Sequence, residues 1–274
     1  MGEGGFPWLR LAGTLPKSAE RRAGRIVSLG VPDGLSSIAV VPTVRGAARR
    51  AFRAGRDLTY SKLLPRLVDT RFVVDGREYD YVWNPAGATW RSERAVEIPI
   101  GLAELAKADP RRTLEVGHVL RKYARPAAAH VVIDKYEHAP GVVNEDALIF
   151  SGGPYDLIVS ISTLEHVGYD EEPRDSGKAA RAVDNLRGLL SAGGEMLATI
   201  PIGYNRELDD ALRDGSLGAQ VSYLARVGEL RWKQIDAADA RATNGWPWPG
   251  ADAVYGWPWP GANLLAVARW RSAD

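Results

Sequence analysis

Residues 113–123 read TLEVGHVLRKY. An apolar run ends in Glu115, Val116 and Gly117, so the stretch predicts a short strand that breaks at a glycine. Glycine turns freely there and lets the backbone come close to a ligand. A loop that cradles a diphosphate would continue with more glycines at a helix N-terminus. Here bulky His118, Val119 and Leu120 follow instead. The stretch therefore predicts the first strand of an α/β sheet, with a ligand turn unsuited to phosphates.

The pattern continues outward from this strand. AAHVVID (128–134) is a second strand ending in an acid, GVVNEDALIF (141–150) holds a third, and YDLIVSIS (155–162) is apolar enough to be a central fourth. GKAARAVDNLRGLLSAGG (177–194) has helical spacing and a glycine stop, and EMLATIPIG (195–203) is a fifth strand. Strands alternating with helices imply a mostly parallel sheet with helices on both faces. LRWKQID (230–236) and NLLAVARW (263–270) read as strands with no good helix between them, so they are expected to pair antiparallel at the sheet edge.

Upstream, RFVVDGREYDYVW (71–83) is a hairpin signal around Asp75-Gly76. SERAVEIPIGLAELAKA (92–108) reads as a helix with Ser92 as N-cap, Glu93 in the first turn and a break or kink at Pro99. The expected division is an extension with hairpin over 1–90, which could cap a substrate, and the main α/β domain over 91–274. The basic flanks within residues 1–70, RRAGR and RGAARRAFRAGR, read as solvated surface or as a patch for an anionic substrate or partner.

Composition narrows the chemistry. The chain has 274 residues, 35 Lys+Arg against 34 Asp+Glu, four histidines and no cysteine. Near-neutral charge gives no electrostatic case for nucleic acid or an anionic membrane as main partner. Without cysteine there is no disulfide, thiolate metal site or cysteine nucleophile. No apolar run reaches the roughly 20 residues of a membrane helix. The start MGEGGFPWLRLAG lacks the pattern of a signal peptide, so a cytoplasmic protein is expected.

In open α/β sheets, ligands sit beyond the carboxyl ends of the strands. Those ends carry Glu115 and Gly117, then Asp134, then Asp146, then Glu165 and His166. An acid after the second strand suits the two ribose hydroxyls of a nucleoside. An acid after the third suits the amine of adenine. S-adenosylmethionine has no phosphate and carries a sulfonium and an ammonium, which fits this set better than NAD does. Asp209-Asp210 reads as a solvated helix face, and no metal site is expected. GWPWPGA occurs at 245–251 and again at 256–262. It is either a rigid loop packed on the core or a lid whose tryptophans stack on a sugar ring.

On TLEVG, VVIDKYE, NEDALIF, YDLIVSISTLEHV and LLSAGGEMLATIP, the chain resembles the class I S-adenosylmethionine-dependent methyltransferases over roughly residues 90–270. The resemblance implies a Rossmann-like sheet, mostly parallel, with an antiparallel C-terminal strand. It implies that Glu115 and Gly117 hold the methionine part, that Asp134 binds the ribose with Lys135 beside it, and that Asp146 and the Ala147 backbone meet the adenine. Ser160 would lie against the methionine amino group. TWRSERAVEIPI resembles the cap laid over the cofactor, where Arg94 would pair with the cofactor carboxylate or else form an ordinary ion pair. His166 is the candidate base, oriented by Glu165. The closing WPWPGAN and STLEHVGYD are similar to enzymes of glycan and glycoside assembly, which implies O-methylation of a sugar or other small polar acceptor. N-methylation of a small amine, an inactive methyltransferase-like partner and a dinucleotide oxidoreductase are the alternatives. A homodimer stays open.

Overall fold

A computed structural model describes residues 55, 70–83, 89, 92–123, 130–228, 230–242, 255–256 and 259–273. Most of the expected extension and the first GWPWPGA copy lie outside them. The hairpin forms as expected, with β1 (Arg71–Val74) antiparallel to β2 (Arg77–Asp80) around Asp75 and Gly76, both at positive φ. Eight further strands make one sheet: β3 (Thr113–Val116), β4 (Val131–Ile133), β5 (Val142–Val143), β6 (Tyr155–Ile161), β7 (Leu190–Pro201), β8 (Gln220–Gly228), β9 (Arg231–Ile235) and β10 (Leu264–Arg271). Their order is β5-β4-β3-β6-β7-β10-β8-β9. β5 through β7 are mutually parallel, and β10 runs antiparallel to both β7 and β8. This is the expected mostly parallel α/β sheet with an antiparallel C-terminal strand.

Four local expectations are corrected. Residues 230–236 and 263–270 do not pair, because β8 stands between β9 and β10. β8 was missed: QVSYLARVG mixes polar and small residues, and it is half solvated at its start. The third strand is only Val142–Val143, after which Asp146 folds the chain back by accepting from the Leu148 N–H. The helix expected over 177–194 ends at Gly188, and β7 begins at Leu190.

Both sheet faces are covered. One buries Leu114, Ile158 and Ile200 under α2 (Lys178–Gly188), α3 (Arg206–Asp214) and α4 (Ala237–Ala242). The other buries Val159, Leu197 and Val267 under α1 (Arg94–Leu105) and the hairpin, through Ile98, Phe72 and Tyr79. α1 runs through Pro99 without breaking. Proline has no N–H, so one helix carbonyl loses its partner. That carbonyl belongs to Ala95, and it accepts from the Val82 N–H just past β2 at 3.0 Å. The proline thus frees the acceptor that docks the hairpin strand onto the helix. The expected Ser92 cap is made only weakly: Ser92 Oγ accepts from the Arg94 N–H at 3.4 Å, and the N-cap position itself falls on Glu93, whose side chain does not cap the helix. The Glu93 carboxylate reaches instead to the Ala262 N–H.

Candidate functional site

Strand order runs outward in two directions from the β3–β6 pair, so the sheet's switch point lies at their carboxyl ends. Gly117 ends β3 at φ +86°, and a Cβ there would lie 2.1 Å from Thr163 Oγ1. Only glycine satisfies both the turn and that contact. Gly117, Asp134, Lys135, Tyr136, Asp146, Ala147, Thr163, His166 and Glu171 line one cleft. Five of the predicted residues and His166 therefore meet at one place.

Glu115 is not among the lining. It is fully buried, and its carboxylate accepts from the N–H groups of Val119 (2.8 Å), Leu120 (2.5 Å) and Arg121 (3.3 Å) and contacts His130 Nε2 at 2.6 Å. The chain after Gly117 forms only a three-residue 3-10 turn, Leu120–Lys122. Amides at such a place would be the donors for a phosphate. Here the protein's own carboxylate takes them. Ser160 also misses the cleft: it is fully buried in β6 and its Oγ has no partner.

Asp134 stands half-buried at the end of β4. It accepts from the N–H groups of Glu137 (2.8 Å), His118 (3.1 Å) and Tyr136 (2.9 Å). Burial alone would raise its pKa, but these three donors outweigh it and hold the carboxyl below its ordinary value. A carboxylate has about four acceptor sites, so Asp134 is a fixed anion with capacity left for a hydroxyl. Asp146 is tied to Lys178 (2.6 Å) and Lys135 (2.9 Å), and both ammoniums also reach Glu171. Burial opposes its ionisation, but Lys178, the Leu148 N–H and Lys135 push the Asp146 carboxyl down to about 2. Lys178 and Glu171 were not predicted. Lys178 opens α2 and is almost wholly buried, a placement that a lysine in a polar stretch does not announce. The Lys135 ammonium lies between Asp146 and Glu171, both on the cleft wall, and the cavity is about 70 Å³. Ligand sites are usually several hundred Å³, so a nucleoside there requires Lys135, an exposed side chain, to swing out.

A second cluster adjoins the cleft. Arg94 pairs with Glu97 Oε1 at 2.6 Å, the ion-pair reading of the two foreseen for it. Glu97 is fully buried and accepts from Ser162 Oγ (2.5 Å) and Thr199 Oγ1 (3.1 Å). Ser162 sits at φ +39°. Such a conformation costs about 1–3 kcal/mol in a non-glycine residue and persists only where neighbours hold it; the Thr199 carbonyl and Glu97 do so. Glu165 is buried, with Oε1 3.6 Å from His166 Nε2 and Oε2 without a partner. Burial raises its pKa well above the carboxylate range, and the charges of Glu97 and Glu93 add to this against Arg94.

The group that orients His166 is therefore not Glu165 but Asp170, whose Oδ2 lies 2.5 Å from His166 Nδ1 and also accepts from Tyr204 Oη at 2.8 Å. Spacing of i, i+4 was the available signal for Asp170. Asp209 is not solvated. It is buried, accepts from the Gly203 N–H at 2.8 Å, and burial pushes its carboxyl up to about 7. Of the second GWPWPGA copy, Trp259 lies against the guanidinium of buried Arg226, 5.4 Å from its ring centre, which favours a packed loop over a sugar-stacking lid at that residue. The other tryptophans of the repeats lie outside the described residues.

A larger depression of about 600 Å³ lies at the opposite ends of the strands, lined by Glu104, Lys107, Asp156, Glu195 and Arg271. Its charges are mostly satisfied by one another, as in Lys107–Glu104 and Arg271–Glu195. Among the described residues no group of three or more His, Asp or Glu could hold a metal ion, and no helix is long and apolar enough to cross a membrane.

No family model and no curated protein matches the chain. Among solved structures it is similar to the N-methyltransferase NodS from Bradyrhizobium japonicum with S-adenosylhomocysteine, at 17% identity over 62% of this chain and 82% of that one, TM-score 0.37. It is similar to the 1,6-didemethyltoxoflavin N1-methyltransferase of Burkholderia thailandensis at 13% identity over 89% and 94% of the two chains, TM-score 0.38. The [4+2]-cyclase SpnF matches at 16% identity over 87% and 99%, also with TM-score 0.38.

Proposed function

We propose that this chain is an S-adenosylmethionine-dependent methyltransferase acting on a small polar acceptor. The observation that carries the reading is Glu115. By taking the amides after β3, it removes the phosphate cradle at the place where an open α/β sheet binds its nucleoside. What is left suits a nucleoside without phosphates.

The residues fit that group in the following way. Asp134, a pre-fixed anion at the end of β4, would take a ribose hydroxyl. Gly117 allows the backbone approach, with Glu115 holding the turn rather than touching ligand. Asp146 and the backbone of Ala147 would face the base once Lys135 moves aside. Arg94 and Ser160 have the weakest claims, since one is paired with Glu97 and the other is enclosed in the sheet. When bound, the cofactor supplies an electrophilic methyl group on sulfur.

The chain's own contribution is then to place the acceptor and manage its proton. With Nδ1–H donating to Asp170, His166 keeps its Nε2 lone pair as a base, in the tautomer the hydrogen bond selects. Such a base is what a hydroxyl acceptor requires, a sugar hydroxyl among them. An amine acceptor needs it less. Titration calorimetry with S-adenosylhomocysteine and with NAD tests the reading. Micromolar binding of the former, weakened by about 10- to 100-fold in Asp134→Ala from loss of one charged hydrogen bond, is expected. Binding of NAD alone would overturn it.

A further inference from the structure

Beside the cleft, Glu93, Glu97 and Glu165 share one guanidinium, Arg94, which feels the charge of all three. Glu93 and Glu97 come from α1 and its cap, and Glu165 from the turn after β6. Glu93 and Glu97 spend oxygens on protein donors: the Ala262 N–H for the first, Ser162, Thr199 and Arg94 for the second. Glu165 does not. It is 2% exposed, and its Oε2 has no hydrogen-bond partner. A buried carboxyl oxygen without a donor is costly to leave unpaired. The protein nonetheless builds a frame around it: Asn205 caps α3 and donates from its Nδ2 to the Glu165 carbonyl at 3.0 Å.

The surroundings favour a cation. Tyr204 packs edge-on against His166 (4.7 Å) and Tyr255 (5.2 Å), and Tyr169 lies 5.5 Å from Tyr204. Aromatic faces attract ammonium groups. Nearby Asp170 is negative and held by His166 and Tyr204, and the Tyr169 ring already carries the Arg174 guanidinium at 3.8 Å, so Tyr204 and Tyr255 are the rings left for a ligand. The proton of Tyr255 is held on by burial and by Glu93 and Glu165, its pKa pushed up to about 12, so that phenol adds no charge.

From this geometry we infer that the acceptor carries an amino group, and that Glu165 Oε2 is its anchor, beside Glu93, Glu97, Tyr204 and Tyr255. The inference rests on the methyltransferase reading and narrows its substrate class. It concerns recognition, so the methylated atom can be that nitrogen or a hydroxyl of the same molecule beside His166. Burial favours the protonated form of the Glu165 carboxyl. Docking an ammonium then ionises it and releases a proton.

The test uses matched probes: D-glucosamine against D-glucose, and tyramine against 4-hydroxyphenethyl alcohol. Each is titrated calorimetrically near pH 8 into the full chain, with and without S-adenosylhomocysteine, in two buffers of different ionisation enthalpy. For at least one pair, the amine should bind about 10-fold more tightly than its neutral twin, roughly the value of one charged hydrogen bond. It should release up to about one proton. In Glu165→Gln the preference and the proton release should both vanish, with the thermal midpoint equal or higher. No amine preference in either pair, or a preference that survives in Glu165→Gln, overturns the inference. The two readings fail separately: loss of the amine preference leaves the cofactor reading standing, and absence of S-adenosylhomocysteine binding sinks that reading whatever the amines do.

Discussion

Glu115 gives the sharpest test of how the site is built, because a ligand contact and a loop cap respond differently to its removal. Its carboxylate is fully enclosed and holds two good backbone donors, Val119 and Leu120, one weaker one, Arg121, and His130. Leu120 is fully buried, and Val119 only partly. Glu115→Ala strands the Leu120 N–H and His130 and leaves the others to what water can reach, at about 1–3 kcal/mol per stranded group. A loss of about 3–5 kcal/mol is expected, the sum over the stranded groups. Glu115→Gln keeps one carbonyl oxygen for Val119 and Leu120 and puts an NH2 where Oε2 meets the weaker Arg121 N–H and His130, losing the first and keeping the second only as a donor to the ring nitrogen, so it should cost about 1–2 kcal/mol. Denaturant unfolding measures both. At about 2–4 °C per kcal/mol, the thermal midpoint should fall by roughly 2–8 °C for the glutamine variant. Its affinity for S-adenosylhomocysteine should stay within about threefold, less than 1 kcal/mol. A glutamine variant of wild-type stability that no longer binds the ligand would refute the capping role and restore Glu115 as a direct contact.

Other outcomes follow from the same geometry. Gly117→Ala meets both a positive φ and Thr163, so it should lose about 2 kcal/mol or more in chemical denaturation; paired with Thr163→Ala it should recover only the steric part. Asp209 has a folded pKa of about 7 against an ordinary 3.8, so its contribution is full below pH 3.8, falls as pH rises toward 7, and is flat beyond. At about 1.4 kcal/mol per pH unit, that interval is worth about 4 kcal/mol at most. Asp209→Asn should therefore be more stable than wild type at pH 8, and the gain should disappear near pH 4; an equal effect at both values would contradict it. Lys178→Met leaves Asp146 and Glu171 with the exposed Lys135 alone, and should destabilise by about 3 kcal/mol or more in thermal or denaturant unfolding. Asp170→Asn removes the carboxylate that fixes the His166 tautomer; once an acceptor is identified, the pH–rate profile should shift while the binding of S-adenosylhomocysteine does not.

Much of the sheet was legible because buried parallel strands carry apolar runs, as in LIV of β6. The strand-end residues were legible because chain direction puts them at one edge. Two kinds of feature were not. β8 escaped because its strength comes from lying between β10 and β9, partners far away in sequence, rather than from its own composition. The partners of the acids escaped for the same reason: Glu115 lies between Leu114 and Val116, Asp209 between Leu208 and Asp210, and only the folded chain shows that each turns inward to a backbone N–H. Pro99 looked like a helix breaker because the Val82 donor that compensates it is 17 positions upstream. Lys178 and Glu171 carry no signal in the sequence, and it is the return of the 168–177 loop to the third strand end that buries the lysine between two carboxylates.

The most direct test of the cofactor site is amide hydrogen exchange with and without saturating S-adenosylhomocysteine. Protection is expected in residues 117–121, 134–137 and 146–148, the three strand ends that meet at the cleft, with little change at the opposite depression around Glu104 and Arg271. Protection confined elsewhere, or none at a concentration far above any measured dissociation constant, would contradict the assignment of this cleft to S-adenosylmethionine.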